Sequence, residues 1–163
     1  MEATYNDKGY GDSYVEYYYG EEFSSGTYTY TYDAEGRKIS EVEVIVKNGA
    51  TEENTYVYTY HSNGELASAT KTTPTRVLTG TWDEAGRELT YCDRAADWSD
   101  YEQYETSYDE KGNVTYEYYA NSDGVVETNT ITYEYNELGD ISYMSESAGG
   151  YFYYYYTYEF VER

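Results

Sequence analysis

The feature that most constrains this chain is an interruption that recurs. From Thr27 to Tyr32 threonine and tyrosine alternate strictly, and then Asp33-Ala-Glu-Gly36 breaks the alternation. The same aromatic-x-x-x-Gly pattern starts at Tyr5, Tyr32, Tyr60, Trp82, Tyr108 and Tyr135. Asn or Asp follows the aromatic in five copies, and His61 takes that place in the third. Successive copies begin 27, 28, 22, 26 and 27 residues apart, so the chain is built from six units of about 27 residues. Periodicity of this kind is read before any individual element, because each unit must bury itself against its neighbours.

Ahead of the internal copies the residues alternate with period two: Tyr28, Tyr30, Tyr32; Tyr56, Tyr58, Tyr60; Leu78, Gly80, Trp82; Tyr104, Thr106, Tyr108; Ile131, Tyr133, Tyr135. Period two is that of a strand, here with one aromatic face and one more polar face. The break supplies a turn. Asp or Asn bonds its own backbone two residues on, and Gly9, Gly36, Gly64, Gly86, Gly112 and Gly139 fall where a positive φ is needed. Ile39, Leu66, Leu89, Val114 and Ile141 then resume the strand. His61 reads as a turn residue rather than a ligand.

A second, irregular set of breakers lies between the copies: Gly20 to Gly26, Asn48-Gly49, Thr73-Pro74, Asp93 to Ser99, Asn121 to Gly124 and Gly149-Gly150. Two strands per unit, joined alternately by the two kinds of turn, predict an all-β chain. The expected architecture is one antiparallel meander of about twelve strands in an open, elongated sheet, with a closed barrel as the alternative. Residues 1–163 form a single β-repeat domain. Both ends fall inside a unit, which reads as a piece of a longer repeat array.

Composition decides what fills the faces. Leu, Ile, Val and Phe number only 21, against 28 tyrosines, so any apolar face is built mainly from tyrosine. Tyrosine suits a half-dry sheet, with the ring packed and the hydroxyl wet. A net charge of −22 leaves no basic patch for phosphates, which excludes nucleic acid and anionic membranes as partners. No apolar run is long enough to span a bilayer, so membrane insertion is not expected. Mutual repulsion favours a monomer.

Catalytic chemistry finds no foothold. His61 and Cys92 are the only residues of their kinds and lie in different units, so neither a triad nor a zinc site can be assembled from them. No glycine-rich phosphate loop precedes a helix, and no pair among the 32 acidic residues stands out. The expectation is a non-enzyme with no cofactor and no metal. Exposed aromatics remain as contact residues: Trp98 and Tyr101 in the long fourth connection, and Tyr151, Tyr153 and Tyr155 near the C-terminus.

The segments Tyr32-Asp-Ala-Glu-Gly-Arg-Lys-Ile39 and Trp82-Asp-Glu-Ala-Gly-Arg-Glu-Leu89 resemble the YD repeats of bacterial RHS-type proteins. The resemblance implies a secreted or surface-attached protein whose repeats form long curved sheets acting as shells or scaffolds. The aromatic cell-wall-binding repeats, which also place such turns at hairpins, are similar more weakly. The function expected is that of a non-catalytic extracellular repeat module, a scaffold or adhesive spacer of a bacterial surface protein. The alternative is a carbohydrate-binding module that uses exposed tyrosine rows. Its partner would be a neutral polysaccharide or another surface protein.

Overall fold

The structure, a computed structural model, describes residues 1–148 in full and the strand backbone of residues 152–157. Thirteen strands follow one another: β1 (Glu2–Tyr5), β2 (Gly11–Tyr18), β3 (Glu21–Tyr32), β4 (Lys38–Lys47), β5 (Ala50–Tyr60), β6 (Leu66–Thr72), β7 (Arg76–Trp82), β8 (Glu88–Ala95), β9 (Tyr101–Tyr108), β10 (Val114–Asn121), β11 (Val126–Tyr135), β12 (Ile141–Ala148) and β13 (Phe152–Thr157). They form one sheet in chain order, every neighbouring pair antiparallel. β1 and β13 are its two edges and do not pair, so the sheet is an open meander rather than a barrel. No helix occurs among the described residues.

Each repeat turn is built the same way. In the second, the amide of Asp33 donates to the carbonyl of Arg37 and the amide of Gly36 donates to the carbonyl of Asp33. The Asp33 Oδ1 accepts the Arg37 amide at 2.8 Å. Gly36 has φ of +84° with open space where a Cβ would stand, so glycine is required there by the backbone alone. Six residues after the aromatic the strand pairs back with it, and one further residue is skipped: Asp12, Ile39, Ala67, Leu89, Thr115 and Ser142 each lie between two pairings of the ladder. The recurring bulge twists every hairpin at the same end.

The other edge is less regular. Tyr19-Gly20 and Asn48-Gly49 both have positive φ at both residues, the tight turn that matches strand twist. Asn121 instead repeats the chemistry of the main turns, its Oδ1 accepting the amides of Asp123 and Val125. The breaker read from Gly20 to Gly26 shrinks to the two residues Tyr19 and Gly20. Gly26 lies inside β3 opposite Tyr14, whose ring covers it.

Register assigns every side chain to a face, because directly paired residues share one. One face holds the aromatics: Tyr28, Tyr30 and Tyr32 with Glu43, Glu41 and Lys38 opposite. The other holds threonine, serine and valine, as in Thr27, Thr29 and Thr31 opposite Val44, Val42 and Ser40. Among the described residues no second layer covers either face. Only Ser24, Gly26, Asn54, Gly80 and Ala120 are buried among the described residues. The accessible surface is 11401 Å², against about 8300 Å² for a compact domain of this mass. Stability therefore comes from contacts along the sheet rather than from a closed core.

Candidate functional site

Three places concentrate side-chain chemistry: the stack of repeat turns, the trough on the aromatic face between β9 and β12, and the β8–β9 tip.

The turns interlock through cations. The Asp33 carboxylate holds the Arg37 Nε at 2.6 Å, and the same guanidinium lies 4.7 Å from the centre of the Tyr60 ring of the next unit. The Tyr60 hydroxyl in turn donates to the carbonyl of Lys38, beside that arginine, at 2.7 Å. Asp83, Arg87 and Tyr108 repeat the arrangement, with the Tyr108 hydroxyl donating to the carbonyl of Glu88. Lys8 over Tyr32 and Lys111 over Tyr135 replace arginine by lysine from a position before the glycine. Where the third turn has no such cation, His61 Nε2 bonds the carbonyl of Trp82 and the Asn63 amide bonds that of Glu84. Each cation–ring contact is worth about 0.5–1 kcal/mol at exposed sites.

Cations elsewhere are committed in the same way. Lys38 sits among Tyr10, Tyr30 and Tyr58, Lys47 over Phe23, Lys71 over Tyr56 and Arg94 over Trp98. Arg76 pairs with Asp93 and Asp100. Every lysine and arginine among the described residues thus has a ring or a carboxylate beside it.

Turn carboxylates are acidified by this bonding. The Tyr135 hydroxyl donates to Asp109, which with the amides of Asn113 and Lys111 lowers that carboxyl to about 2. The backbone amide and side chain of Arg87 pull Asp83 down, and Arg37 pulls Asp33 down against the opposing effect of desolvation. A carboxyl depressed in the folded state stabilises the fold above its unfolded pKa, near 3.9, and that contribution is lost as pH falls through the folded value. The melting temperature is expected to fall between about pH 4 and pH 2. Asp109→Asn and Asp83→Asn, which keep the turn acceptor as Asn6 and Asn136 do, should each shallow that fall. Parallel pH melts of wild type and variants check this, and identical slopes would remove the aspartates from the account.

The trough has a volume of about 490 Å³. Tyr104 and Tyr119, with ring centres 4.8 Å apart, form one wall. The Asn129 amide nitrogen spans Glu117 at 3.0 Å and Glu146 at 2.8 Å, while its oxygen is buried without a partner. Asn54 in an earlier unit donates to Glu43 alone, at 3.1 Å, again with an unpartnered oxygen. The pattern recurs in different units, which marks it as part of the repeat. No group of three or more His, Cys, Asp or Glu side chains is arranged to hold a metal ion among the described residues.

At the β8–β9 tip the structure brings the two sequence-predicted residues together. Trp98 and Tyr101 meet edge to face with ring centres 6.2 Å apart. Trp98 is 56 % exposed and has φ of +63°, a conformation a bulky residue rarely takes. The Arg94 guanidinium covers one face of its indole at 4.2 Å, so only the other could stack on a ligand. Tyr151 and the side chains of Tyr153 and Tyr155 lie outside the described residues. Gly9, Gly36, Gly64, Gly86, Gly112 and Gly139 all carry φ between +77° and +93°.

Sequence reading missed the turn cations as a set. Their signal was present: Lys8, Arg37, Arg87 and Lys111 each stand 21 to 24 residues before the aromatic they cover. No protein-family model and no curated protein matches the chain.

Proposed function

We propose that the chain is a non-catalytic repeat module that serves as an extended scaffold or spacer. The observation that carries this reading is the coupling of unit to unit. Each of the first five turns holds the aromatic residue that opens the next, through a cation on its ring or, at Trp82, a hydrogen bond to its main chain. Such an array transmits rigidity along the strand-stacking direction and has nearest-neighbour contacts only, as in solenoids. Its lysines and arginines sit against rings and carboxylates of the sheet itself, and its catalytic residue types are scattered. Location at a bacterial surface rests on the likeness of the turns to YD repeats, and an adhesive role on the aromatics left exposed, chiefly Tyr18, Tyr19 and Trp98.

The reading predicts shape. Thirteen strands spaced about 4.8 Å apart extend across about 60 Å. Small-angle scattering is expected to give a largest dimension near that value, whether the chain is alone or paired. A radius of gyration of about 15 Å, that of a compact domain of this length, would exclude an extended spacer.

A further inference from the structure

We propose that the threonine–valine face of the sheet is a self-association surface, on which a second copy of the chain docks face to face to make a two-layer sandwich. Three observations carry it.

The first is where charge is missing. Nineteen ladder positions lie on this face from Ser25–Thr31 of β3 to Val77–Thr81 of β7, and Glu53 is the one charged residue among them. Ten are threonine, five valine and three serine. On the aromatic face of the same five strands stand Lys38, Glu41, Glu43, Lys47, Glu52 and Lys71. In a chain with 32 acidic residues out of 163, a neutral field of this extent departs from the rest of the surface. Val46 and Val57, 40 % and 45 % exposed, are its apolar points.

The second is that the hydroxyls along its bulged edge already pair with one another. Thr31 bonds Ser40 at 2.6 Å, Thr59 bonds Ser68 at 2.6 Å and Thr81 bonds Thr90 at 2.7 Å, each pair across neighbouring strands at the bulge. Covering a polar group is costly when it strands a donor or acceptor. At those three pairs a second layer can be laid over the face without doing so, the other hydroxyls can bond one another across the interface, and flat rows of β-branched side chains interdigitate well between paired sheets.

The third is fit to a copy of itself. Five strands at about 4.8 Å and about seven residues each give roughly 570 Å² per partner, so a pair buries about 1,100 Å², just above the roughly 1,000 Å² expected of a specific interface. A two-fold pairing brings the same neutral patch to itself. It turns both acidic faces outward about 10 Å apart or more, which is the one arrangement in which a chain of net charge −22 meets its copy with least repulsion. It also supplies the second layer that a sheet with a covered face requires.

Sedimentation of the full chain between about 1 and 100 μM tests the proposal. A species of 37.8 kDa, twice the 18.9 kDa of the chain, is expected to grow with concentration and with added salt. Thr55→Glu and Thr70→Glu, on the neutral face, should each weaken it at least tenfold, while Glu52→Gln on the opposite face of β5 leaves it unchanged. Circular dichroism confirms that each variant is folded. Cys92 gives an independent readout in the unaltered protein, because register places it on the same face opposite Thr79. Its reaction with a bulky maleimide should slow as the concentration rises. A mass of 18.9 kDa throughout overturns the proposal. So does a dimer that survives both glutamates and leaves Cys92 unprotected, since that dimer would be made by the sheet edges.

Discussion

Gly80→Val is expected to lower stability by about 2–3 kcal/mol, the upper part of the range for forcing extra volume into a packed site. Gly80 has ordinary strand geometry, so backbone strain is not the reason. A Cβ there would stand 2.6 Å from the Trp82 indole and 3.1 Å from its next carbon, and the ring, lying along the strand from two residues ahead, would have to leave. His61 of the third turn bonds the main-chain carbonyl of Trp82 and not its ring, so nothing in that turn opposes the displacement of the indole. The decisive measurement is a double-mutant cycle by urea unfolding. With Trp82→Ala already in place, the obstacle is gone, and Gly80→Val should become neutral or stabilising by up to about 1 kcal/mol, since valine is the better strand former. Coupling of about 2 kcal/mol or more is therefore expected. Strict additivity would show that the ring does not rest on Gly80. Gly26, whose Cβ would meet the Tyr14 ring at 2.3 Å, belongs to the same class.

These two glycines mark where the sequence was legible and where it was not. The repeat turns could be read because one side chain does the local work: Asp33, Asp83, Asp109 and their counterparts accept backbone amides two and four residues on, and the glycine follows at a fixed distance. The two faces could be read because pairing preserves period two. Gly26, by contrast, looked like part of a turn. Its role depends on a ring across the strand pair, twelve residues away in sequence, and nothing local separates such a glycine from one that bends the chain. The cations over Tyr32, Tyr60, Tyr108 and Tyr135 escaped notice for the same reason, since a contact with the next unit has no signature inside its own. For the candidate site, Trp98 and Tyr101 were named and do meet. Arg94, which decides how much of the indole is free, was not named, because its stacking follows from the shape of the tip.

Removing one whole unit is the perturbation of largest extent, and the architecture predicts that the chain survives it. Excising residues 33–60 joins Tyr32 to His61, so that β3 enters the third repeat turn in place of β5 and pairs with β6. The parity is right, because Tyr32 and Tyr60 occupy equivalent positions, each at a bulge and each paired six residues on, with Lys38 and Leu66. The His61 contact to Trp82 is retained, and the Lys8 contact to Tyr32 is retained. Lost are β4, β5, the clamp of Arg37 on Tyr60 and the cluster of tyrosines around Lys38. In a globular domain with one core, loss of 28 of 163 residues from the interior would abolish folding. In a nearest-neighbour array it removes one unit and one junction, and the remainder folds with less total stability. The denaturant slope, which scales with the surface exposed on unfolding, should fall by about one sixth, and the scattering length should shorten by two strand spacings, about 10 Å. A shortened chain without strand signal in far-ultraviolet circular dichroism would mean that the units depend on one another over longer distances than their contacts reach, and the account of the fold as a linear series of clamped hairpins would fail.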